Sequence, residues 1–279
     1  MMPDLFQDRS YWNATATAPD FPSLAQDIGV DIAIVGGGIV GVTTARALKD
    51  MGLTVAVIEA LKVGRQVTGK STAKITSQHS TTYQTLERTF GEDRARLYAE
   101  AQETAIRTIQ SFASQYGIDC DIEPKPAYIY TRDEQYVGQI EKEVELAQRL
   151  GLAATLVRET DLPFDVLAAM RFENQAQFHP TKYVAGLAQT IPGGGCHVFE
   201  NSRVVDWEPT RVVTDEASVT ARHVVMATHL PLGEVGGYYA QVYPYAEPVI
   251  AARIGRVPDG MYLNVEQPTH SIRTHTREN

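Results

Sequence analysis

Three glycines with the spacing Gly36-x-Gly38-x-x-Gly41 stand between an apolar run and a segment with helical apolar periodicity. Gly36 permits a tight turn, Gly38 lets the backbone approach a pyrophosphate, and Gly41 allows close packing of a helix. Glu59 ends the next apolar run, 18 residues after Gly41. The N–H groups at the helix start would face phosphate oxygens, and the carboxylate would accept hydrogen bonds from ribose hydroxyls. The pattern is typical of an adenine dinucleotide site.

The residues around Glu59 narrow the choice of dinucleotide. A carboxylate repels a 2′-phosphate, and the next residues are Ala60, Leu61 and Lys62 rather than an arginine. NADP is therefore disfavoured, whereas FAD and NAD both remain. Three features favour FAD: the unit lies near the N-terminus, a loop rich in Gly, Ser, Thr and Lys follows at 61–82, and a second apolar strand, "HVVMATH" (223–229), comes far downstream.

The elements needed to position these residues can be predicted from periodicity. Strands at 31–35 and 54–58 flank the first helix and are apolar throughout, as buried parallel strands are. Further helices are predicted at 92–116, 134–150 and 180–191, the second with a capping box of Thr131 and Glu134. Strands are predicted at 127–131, 197–200, 203–208, 211–214 and 218–227. The fold class is α/β: a Rossmann-type domain with a parallel sheet, plus a mixed α+β domain.

Several motifs together resemble the D-amino-acid oxidase superfamily of FAD-dependent amine oxidoreductases. The likeness is greatest to the branch of glycine oxidase and γ-glutamylputrescine oxidase, whose bacterial members often carry a C-terminal Rieske domain. It rests on "SYWNATA", "DIAIVGGGIVGVTTARAL", "VAVIEA", "VTGKSTAKITSQHS", "IDCDIEPKPAYIYT", "QAQFHPTKYVAGLA" and "VVMATHLP".

The resemblance implies FAD as the cofactor and assigns positions to it. The ADP half would be held by Gly36, Gly37, Gly38, Ile39, Val40, Gly41, Glu59 and Ala60. The pyrophosphate and flavin side would be lined by Thr68, Gly69, Ser71, Thr72 and Lys74. Val204 would meet the adenine through its backbone, and Ala227, Thr228 and His229 would form a turn beneath the cofactor. His229 stands where many flavoproteins have glycine.

The implied reaction is hydride transfer to flavin from a carbon next to an amine nitrogen, in an amine or amino-acid substrate. Lys74 could stabilise a reduced anionic flavin, and Arg273 could bind a substrate carboxylate, although each could equally be a solvated surface residue. His79 is a further catalytic candidate, but we expect it and His179 to be structural. Three tyrosines could wall a pocket or belong to the core: Tyr128, Tyr130 and Tyr183.

The domain organisation follows from the same resemblance. We expect an N-terminal arm at 1–30, an FAD-binding domain at 31–82 and 172–232, and a substrate domain at 83–171 and 233–279. Because the family's last glycine-containing segment is not found before Asn279, we also expect a C-terminally truncated chain. Two alternatives therefore stay open: a non-catalytic remnant that binds flavin weakly or not at all, and an NAD-dependent dehydrogenase.

Composition limits the remaining function classes. With 25 basic and 34 acidic residues the net charge is −9, which argues against a nucleic-acid partner. No apolar run is long enough to span a membrane, and the start has no leader pattern, so we expect a cytoplasmic protein. The two cysteines form no CxxC pair and the histidines no HExxH motif, so we expect no metal site. The sequence carries no signal for the oligomeric state.

Overall fold

The computed structural model describes residues 10–230, 232–233, 235–243, 245 and 247–275. The helices are α1 (Tyr11–Thr15), α2 (Ile39–Asp50), α3 (Thr82–Phe90), α4 (Glu92–Gln115), α5 (Val137–Arg149) and α6 (Pro180–Gln189). Strands β1 to β7 are Ile28–Val35, Val55–Ile58, Lys74–Ile75, Glu123–Pro124, Ala127–Thr131, Ala154–Val157 and Ala168–Phe172. Strands β8 to β14 are Ala176–Gln177, His197–Phe199, Val204–Glu208, Arg211–Thr214, Ser218–Met226, Met261–Asn264 and Ser271–Arg273. Short 3₁₀ helices occur at Thr68–Lys70, Glu134–Tyr136 and Val235–Ala240.

The chain packs as two compact units. Within the described residues, the first unit comprises 10–71, 112–120 and 179–249, and the second comprises 72–111, 121–178 and 250–275. These boundaries differ from the predicted ones, since 72–82 and 172–178 belong to the second unit and 112–120 and 233–249 to the first. The assignment of the two units to FAD binding and to substrate binding stays a prediction.

The first unit is built on a six-stranded sheet in the order β10-β11-β12-β1-β2-β9. Strand β1 pairs in parallel with both β12 and β2, and β2 pairs in parallel with β9. All four residues of β2 are buried, as expected for a strand covered on both faces. Because the central strands are parallel, their carboxyl ends meet at one edge, where the glycine loop and Glu59 both lie. The predicted α/β class is confirmed.

The second unit contains a five-stranded sheet in the order β14-β13-β5-β7-β6 and a three-stranded sheet in the order β3-β8-β4. Helix α5 contributes Ile140, Val144 and Ala147 to a core that also contains Ile129 and Met170 of the larger sheet. The alternation of antiparallel pairs with one parallel pair, β5 with β13, makes this a mixed unit.

The predicted capping box at the start of α5 is wrong. A 3₁₀ turn at Glu134–Tyr136 precedes the α-helix, and its N-cap is Asp133, whose side chain accepts from Gln135 N. Thr131 is still the last residue of β5, and its hydroxyl donates to Glu266. The threonine therefore lies too early in the chain to cap the helix.

Candidate dinucleotide site

The turn after β1 is in backbone contact with the turn after β12. Gly36 has φ +111°, a conformation that favours glycine, and its N–H donates to Ile58 O at 2.9 Å. A Cβ on Gly36 would lie 2.4 Å from Ala227 O. Ala227 N in turn donates to Val35 O at 2.8 Å. The two turns thus meet backbone to backbone, and Gly36 has no room for a side chain.

The other two motif glycines, Gly38 and Gly41, have different surroundings. A Cβ on Gly41 would lie 1.9 Å from Gly36 O, so the packing of α2 against the turn requires glycine there. Gly38 is the N-cap of α2, with an extended backbone that any residue can adopt and no side-chain cap. Its Cβ would meet Thr68 Oγ1 at 3.4 Å, and no other described atom beyond its immediate neighbours within 4 Å. The fold therefore requires glycine at 36 and 41 but not at 38.

Glu59 is buried at the carboxyl end of β2, and its carboxylate is held by two backbone donors. Oε2 accepts from Gly37 N at 2.7 Å and Oε1 accepts from Leu61 N at 2.9 Å. The main chain of Glu59 is fixed by its N–H bond to Phe199 O and by Ser202 N, both at 2.9 Å. Each carboxylate oxygen retains a further acceptor lone pair, so the group can still accept from a ribose hydroxyl.

The loop after Glu59 folds back on the glycine turn. Thr68 Oγ1 accepts from Ile39 N at 3.0 Å, and Gly64 N donates to Gly37 O at 3.0 Å. Thr68 thereby binds one of the N–H groups that the first turn of a helix leaves without an intrahelical acceptor. These bonds bring Thr68 to the start of α2, and its contact with a cofactor stays a prediction.

Glu200 also holds this loop, and the sequence reading missed it. Its buried carboxylate accepts from Val63 N at 2.8 Å and from Lys62 Nζ at 2.6 Å. Glu200 follows β9, which pairs in parallel with β2, so both strands end in a glutamate at the same edge of the sheet. The sequence shows an acid directly after the short run "HVF", but it does not show that this run pairs with β2.

The turn beneath the predicted cofactor position explains the usual preference for glycine. His229 has φ +66°, in the left-handed region that residues with a Cβ rarely adopt. Thr228 Oγ1 donates to Leu230 O at 2.6 Å, and Leu230 N donates to Thr228 O at 2.8 Å. The predicted adenine contact Val204 is buried at the start of β10. The cofactor contacts of these residues stay predictions.

Thr72 and Lys74 lie in the second unit. Lys74 Nζ donates to Tyr262 O at 2.8 Å and to Ser271 Oγ at 2.7 Å. Burial, together with the smaller effect of the nearby Arg273 charge, lowers the pKa of Lys74 to about 8. The ammonium group is thus held against β13 and β14.

Arg273 donates from three nitrogens to three protein oxygens. Nε reaches Gln177 Oε1 at 3.0 Å, Nη1 reaches Thr72 O at 3.3 Å, and Nη2 reaches Phe178 O at 3.1 Å. The structure therefore brings Thr72, Lys74 and Arg273 together in the second unit. Both cations are fixed by backbone and side-chain acceptors of their own unit.

The two candidate histidines differ in their surroundings. Burial lowers the pKa of His79, and its Nδ1 lies 3.4 Å from the Tyr98 hydroxyl. His179 is the N-cap of α6: its Nδ1 accepts from Lys182 N at 3.2 Å, while its Nε2 lies 2.9 Å from Thr15 Oγ1. His179 therefore has a structural role, as expected.

The three candidate tyrosines are buried within their units. The Tyr128 ring stacks on Tyr262 at a centroid distance of 4.7 Å, and Tyr130 packs against Phe164 at 5.9 Å. Tyr183, on α6, is fully buried. Core packing is thus the observed role of all three.

No group of three or more His, Cys, Asp or Glu side chains among the described residues could hold a metal ion. None of their helices is long and apolar enough to cross a membrane.

Solved structures share this fold. L-proline dehydrogenase from P. horikoshii is 20% identical, with a TM-score of 0.59 over 75% of this chain and 54% of that one. Glycine oxidase from Bacillus cereus is 20% identical, with a TM-score of 0.54 over 71% of this chain and 55% of that one. At these identities the likeness concerns the fold alone.

Sequence relatives extend over most of the chain. A Bacillus subtilis protein named as a Rieske 2Fe-2S iron-sulfur protein, YhfW, is 35% identical over 95% of this chain and 53% of its own length. Gamma-glutamylputrescine oxidoreductase of Escherichia coli is 28% identical over 81% of this chain and 55% of its own length. The chain thus spans about half the length of these relatives. The family model described as FAD dependent oxidoreductase matches residues 31–273. The predicted resemblance and the predicted cofactor are thereby confirmed at the level of the family, and the chain belongs to the FAD-dependent oxidoreductases.

Proposed function

We propose that this chain takes part in the FAD-dependent oxidation of a C–N bond in a small amine or amino acid. The family supplies the cofactor and the reaction type. The substrate class is suggested by relatives and neighbours whose names include gamma-glutamylputrescine oxidoreductase, glycine oxidase and L-amino acid deaminase. The chain matches only about half of their length, so the substrate class is part of the proposal.

The observation that carries the proposal is the contrast among the three motif glycines. Backbone atoms exclude a Cβ at Gly36 and Gly41, whereas the fold would accept one at Gly38. Glycine at 38 is needed when another molecule must approach the backbone closely. At the N-terminus of α2, beside helix N–H groups, that molecule is the pyrophosphate of a dinucleotide.

The residues around Gly38 fit the ADP half of FAD. The N-terminal N–H groups of α2 would donate to the phosphates, with Thr68 holding the N–H of Ile39 and so fixing the loop edge. Glu59 would accept from the ribose hydroxyls while Gly37 N and Leu61 N hold its carboxylate in place. When bound, FAD accepts the hydride of the reaction. The protein's own contribution is binding and orientation.

The proposal also assigns roles to two cations of the second unit, Lys74 and Arg273. With its pKa at about 8, Lys74 is mostly protonated at neutral pH, and its ammonium group donates to Tyr262 O on β13 and to Ser271 Oγ on β14. Lys74 would stabilise negative charge that develops on the flavin, and Arg273 would attract the carboxylate of an amino-acid substrate. His79 is kept as a weaker catalytic candidate.

The experiment is a comparison of Gly38→Ala with the parent chain. We expect FAD affinity to fall roughly 50-fold or more, since a methyl group in a close contact costs about 2–3 kcal/mol. Because the protein has room for this Cβ, the unfolding midpoint of the apoprotein should stay unchanged. Absorbance titration with FAD gives the affinity.

The matched control is Gly138→Ala on α5, where a Cβ would meet nothing within 4 Å. It should bind FAD as the parent does. Equal FAD affinity in Gly38→Ala and the parent would overturn the proposed site. A parent chain that takes up no FAD would favour the non-catalytic alternative, and nicotinamide-dependent turnover without flavin would favour the NAD dehydrogenase.

A further inference from the structure

The N-terminal residues 10–15, here called the clamp, bind the loop at 65–71. Ser10 Oγ donates to Gly69 O, and Trp12 Nε1 donates to Ser71 O at 2.9 Å. Asn13 Nδ2 donates to Arg65 O at 2.9 Å. Three carbonyl groups of the loop thus accept hydrogen bonds from three side chains of the clamp.

The loop also binds the clamp in return. The Arg65 guanidinium donates to Asn13 O and, at 2.8 Å, to Ala16 O. A Cβ on Gly69 would lie 2.2 Å from Asn13 Oδ1, so the loop passes the clamp with no space for a side chain. The two segments therefore interlock, and the loop cannot leave its position without disturbing the clamp.

The clamp is anchored on α6. Thr15 Oγ1 lies 2.9 Å from His179 Nε2, and the Trp12 ring packs edge-on against His179 at a centroid distance of 4.9 Å. His179 is itself the N-cap of α6 and is buried. The clamp thus connects the loop to a fixed helix of the first unit.

The loop held in this way contains Thr68, whose hydroxyl accepts from Ile39 N at the start of α2. The clamp therefore fixes the position of the loop relative to the N-terminus of α2. In the proposed function, this terminus binds the pyrophosphate.

We propose that Trp12 and Asn13 are positioning residues, which hold the loop at 65–71 in the conformation that binds FAD and thereby set the FAD affinity. This inference rests on the proposed function. The 12 residues between the clamp and β1, 16–27, then return the chain from the loop to the sheet, as Ile28 begins β1.

The test uses two variants and a matched control. Trp12→Phe keeps an aromatic ring but removes the donor to Ser71 O, and Asn13→Asp keeps the shape but places an acceptor against Arg65 O. Trp207→Phe removes the same kind of bond elsewhere in the first unit, from Trp207 Nε1 to Leu232 O at 3.2 Å. FAD affinity, the apoprotein unfolding midpoint and amide hydrogen exchange at 64–71 are measured for each.

We expect Trp12→Phe to weaken FAD binding about fivefold and Asn13→Asp about 20-fold, since a lost neutral bond counts for less than a repulsive contact. Exchange at 64–71 should rise in both variants. Trp207→Phe should change the unfolding midpoint by a similar amount to Trp12→Phe without changing FAD affinity or loop exchange.

The outcomes separate the two proposals. Parent-like FAD affinity in both clamp variants would overturn the positioning role and leave the FAD site intact, even if loop exchange rises. Equal loss of affinity in Trp207→Phe would also overturn it, because the effect would then reflect general stability. A parent that binds no FAD at all would overturn the proposed function, and the clamp's role with it.

Discussion

The glycine loop of the first unit and the cation pair of the second unit are two candidate sites built from different parts of the chain. At the loop, the contacts are made largely by backbone: Gly36 against Ala227 O, and Gly37 N against Glu59. At the cation pair, the side chains of Lys74 and Arg273 each donate to two or more acceptors on other segments. The first arrangement constrains which residues can stand at each position, and the second constrains little beyond a positive charge.

This difference explains why one site can be found in the sequence and the other cannot. A backbone site requires glycine at particular spacings after a strand, and that requirement is visible as a motif. A side-chain site depends on which strands become neighbours in space. Lys74 and Ser271 are close only because β13 and β14 bring distant residues to β3, which no local pattern in the sequence predicts.

The largest expected effect is that of Gly41→Ala, which tests whether the loop depends on backbone packing. Its Cβ would overlap Gly36 O at 1.9 Å, so we expect the first unit to lose more than about 3 kcal/mol of unfolding free energy. Both tryptophans, Trp12 and Trp207, lie in the first unit, so urea unfolding followed by tryptophan fluorescence reports on it.

Gly38→Ala is the matched control for that variant, since its Cβ has room at 3.4 Å from Thr68 Oγ1. It should unfold at nearly the parent's urea concentration. Similar losses in both variants would mean that the two glycines have the same role, which would break the contrast on which the cofactor argument rests.

Lys74→Met tests whether burial of the Lys74 ammonium group makes the stability of the folded chain depend on pH. The pKa of Lys74 is lowered from 10.5 to about 8 in the folded state, mainly by burial. Between these pH values the unfolded chain holds a proton that the folded chain has lost, so the parent's stability should rise with pH. Between pH 8 and pH 10.5, we expect the unfolding free energy of the parent to rise by about 2 kcal/mol relative to that of Lys74→Met.

Urea unfolding followed by far-UV circular dichroism at several pH values measures this gain. Lys142→Met, which removes an exposed lysine from α5, is the matched control for loss of a surface charge. A stability difference between the parent and Lys74→Met that stays constant with pH would contradict the lowered pKa.

Glu59→Gln tests the side chain that accepts from two backbone donors of the loop, Gly37 N and Leu61 N. One amide N–H₂ group must then face Gly37 N or Leu61 N, so one backbone donor loses its acceptor. We expect a loss of about 1.5 kcal/mol from the first unit and weaker FAD binding. Tryptophan fluorescence and FAD titration measure the two effects.

Glu208→Gln, at an exposed position of β10, is the control for the charge change alone. It should leave both quantities unchanged. Unaltered stability and FAD affinity in Glu59→Gln would show that its carboxylate is dispensable to the loop.

The smallest expected effect is a gain. His229 has φ +66°, and a Cβ in this region costs about 1 kcal/mol, so His229→Gly should stabilise the first unit by about 0.5 kcal/mol after the entropy of glycine is subtracted. His229→Ala keeps the Cβ and should show no gain. A stabilisation of equal size in both variants would attribute it to loss of the imidazole instead of to backbone strain.

The sequence predicted the strand, helix and strand around the glycine loop closely, because apolar periodicity and the glycine stops act locally. Helix α4 likewise begins at the predicted Glu92. The unit boundaries could not be predicted in the same way, since they depend on which distant segments pack together. The capping of α5 failed for a local reason: a 3₁₀ turn replaced the expected first helical turn.

The site was predicted unevenly for the same reasons. Glu59 was found because its position after a parallel strand is part of the motif. Glu200 has the equivalent position after β9 but was missed, because only the pairing of β9 with β2 shows that the two acids share an edge. The contacts of Trp12 and Asn13 join residues more than 50 positions apart, beyond the reach of any local pattern.

The pairing of β1 with β12 has a consequence for biosynthesis. β1 can find β2 soon after both leave the ribosome, but its other neighbour begins only at Ser218. Until then, one edge of a largely apolar strand stays unpaired, and Gly36 lacks the carbonyl of Ala227 that it contacts in the folded chain. The glycine loop is therefore among the last parts of the first unit to complete its contacts during synthesis.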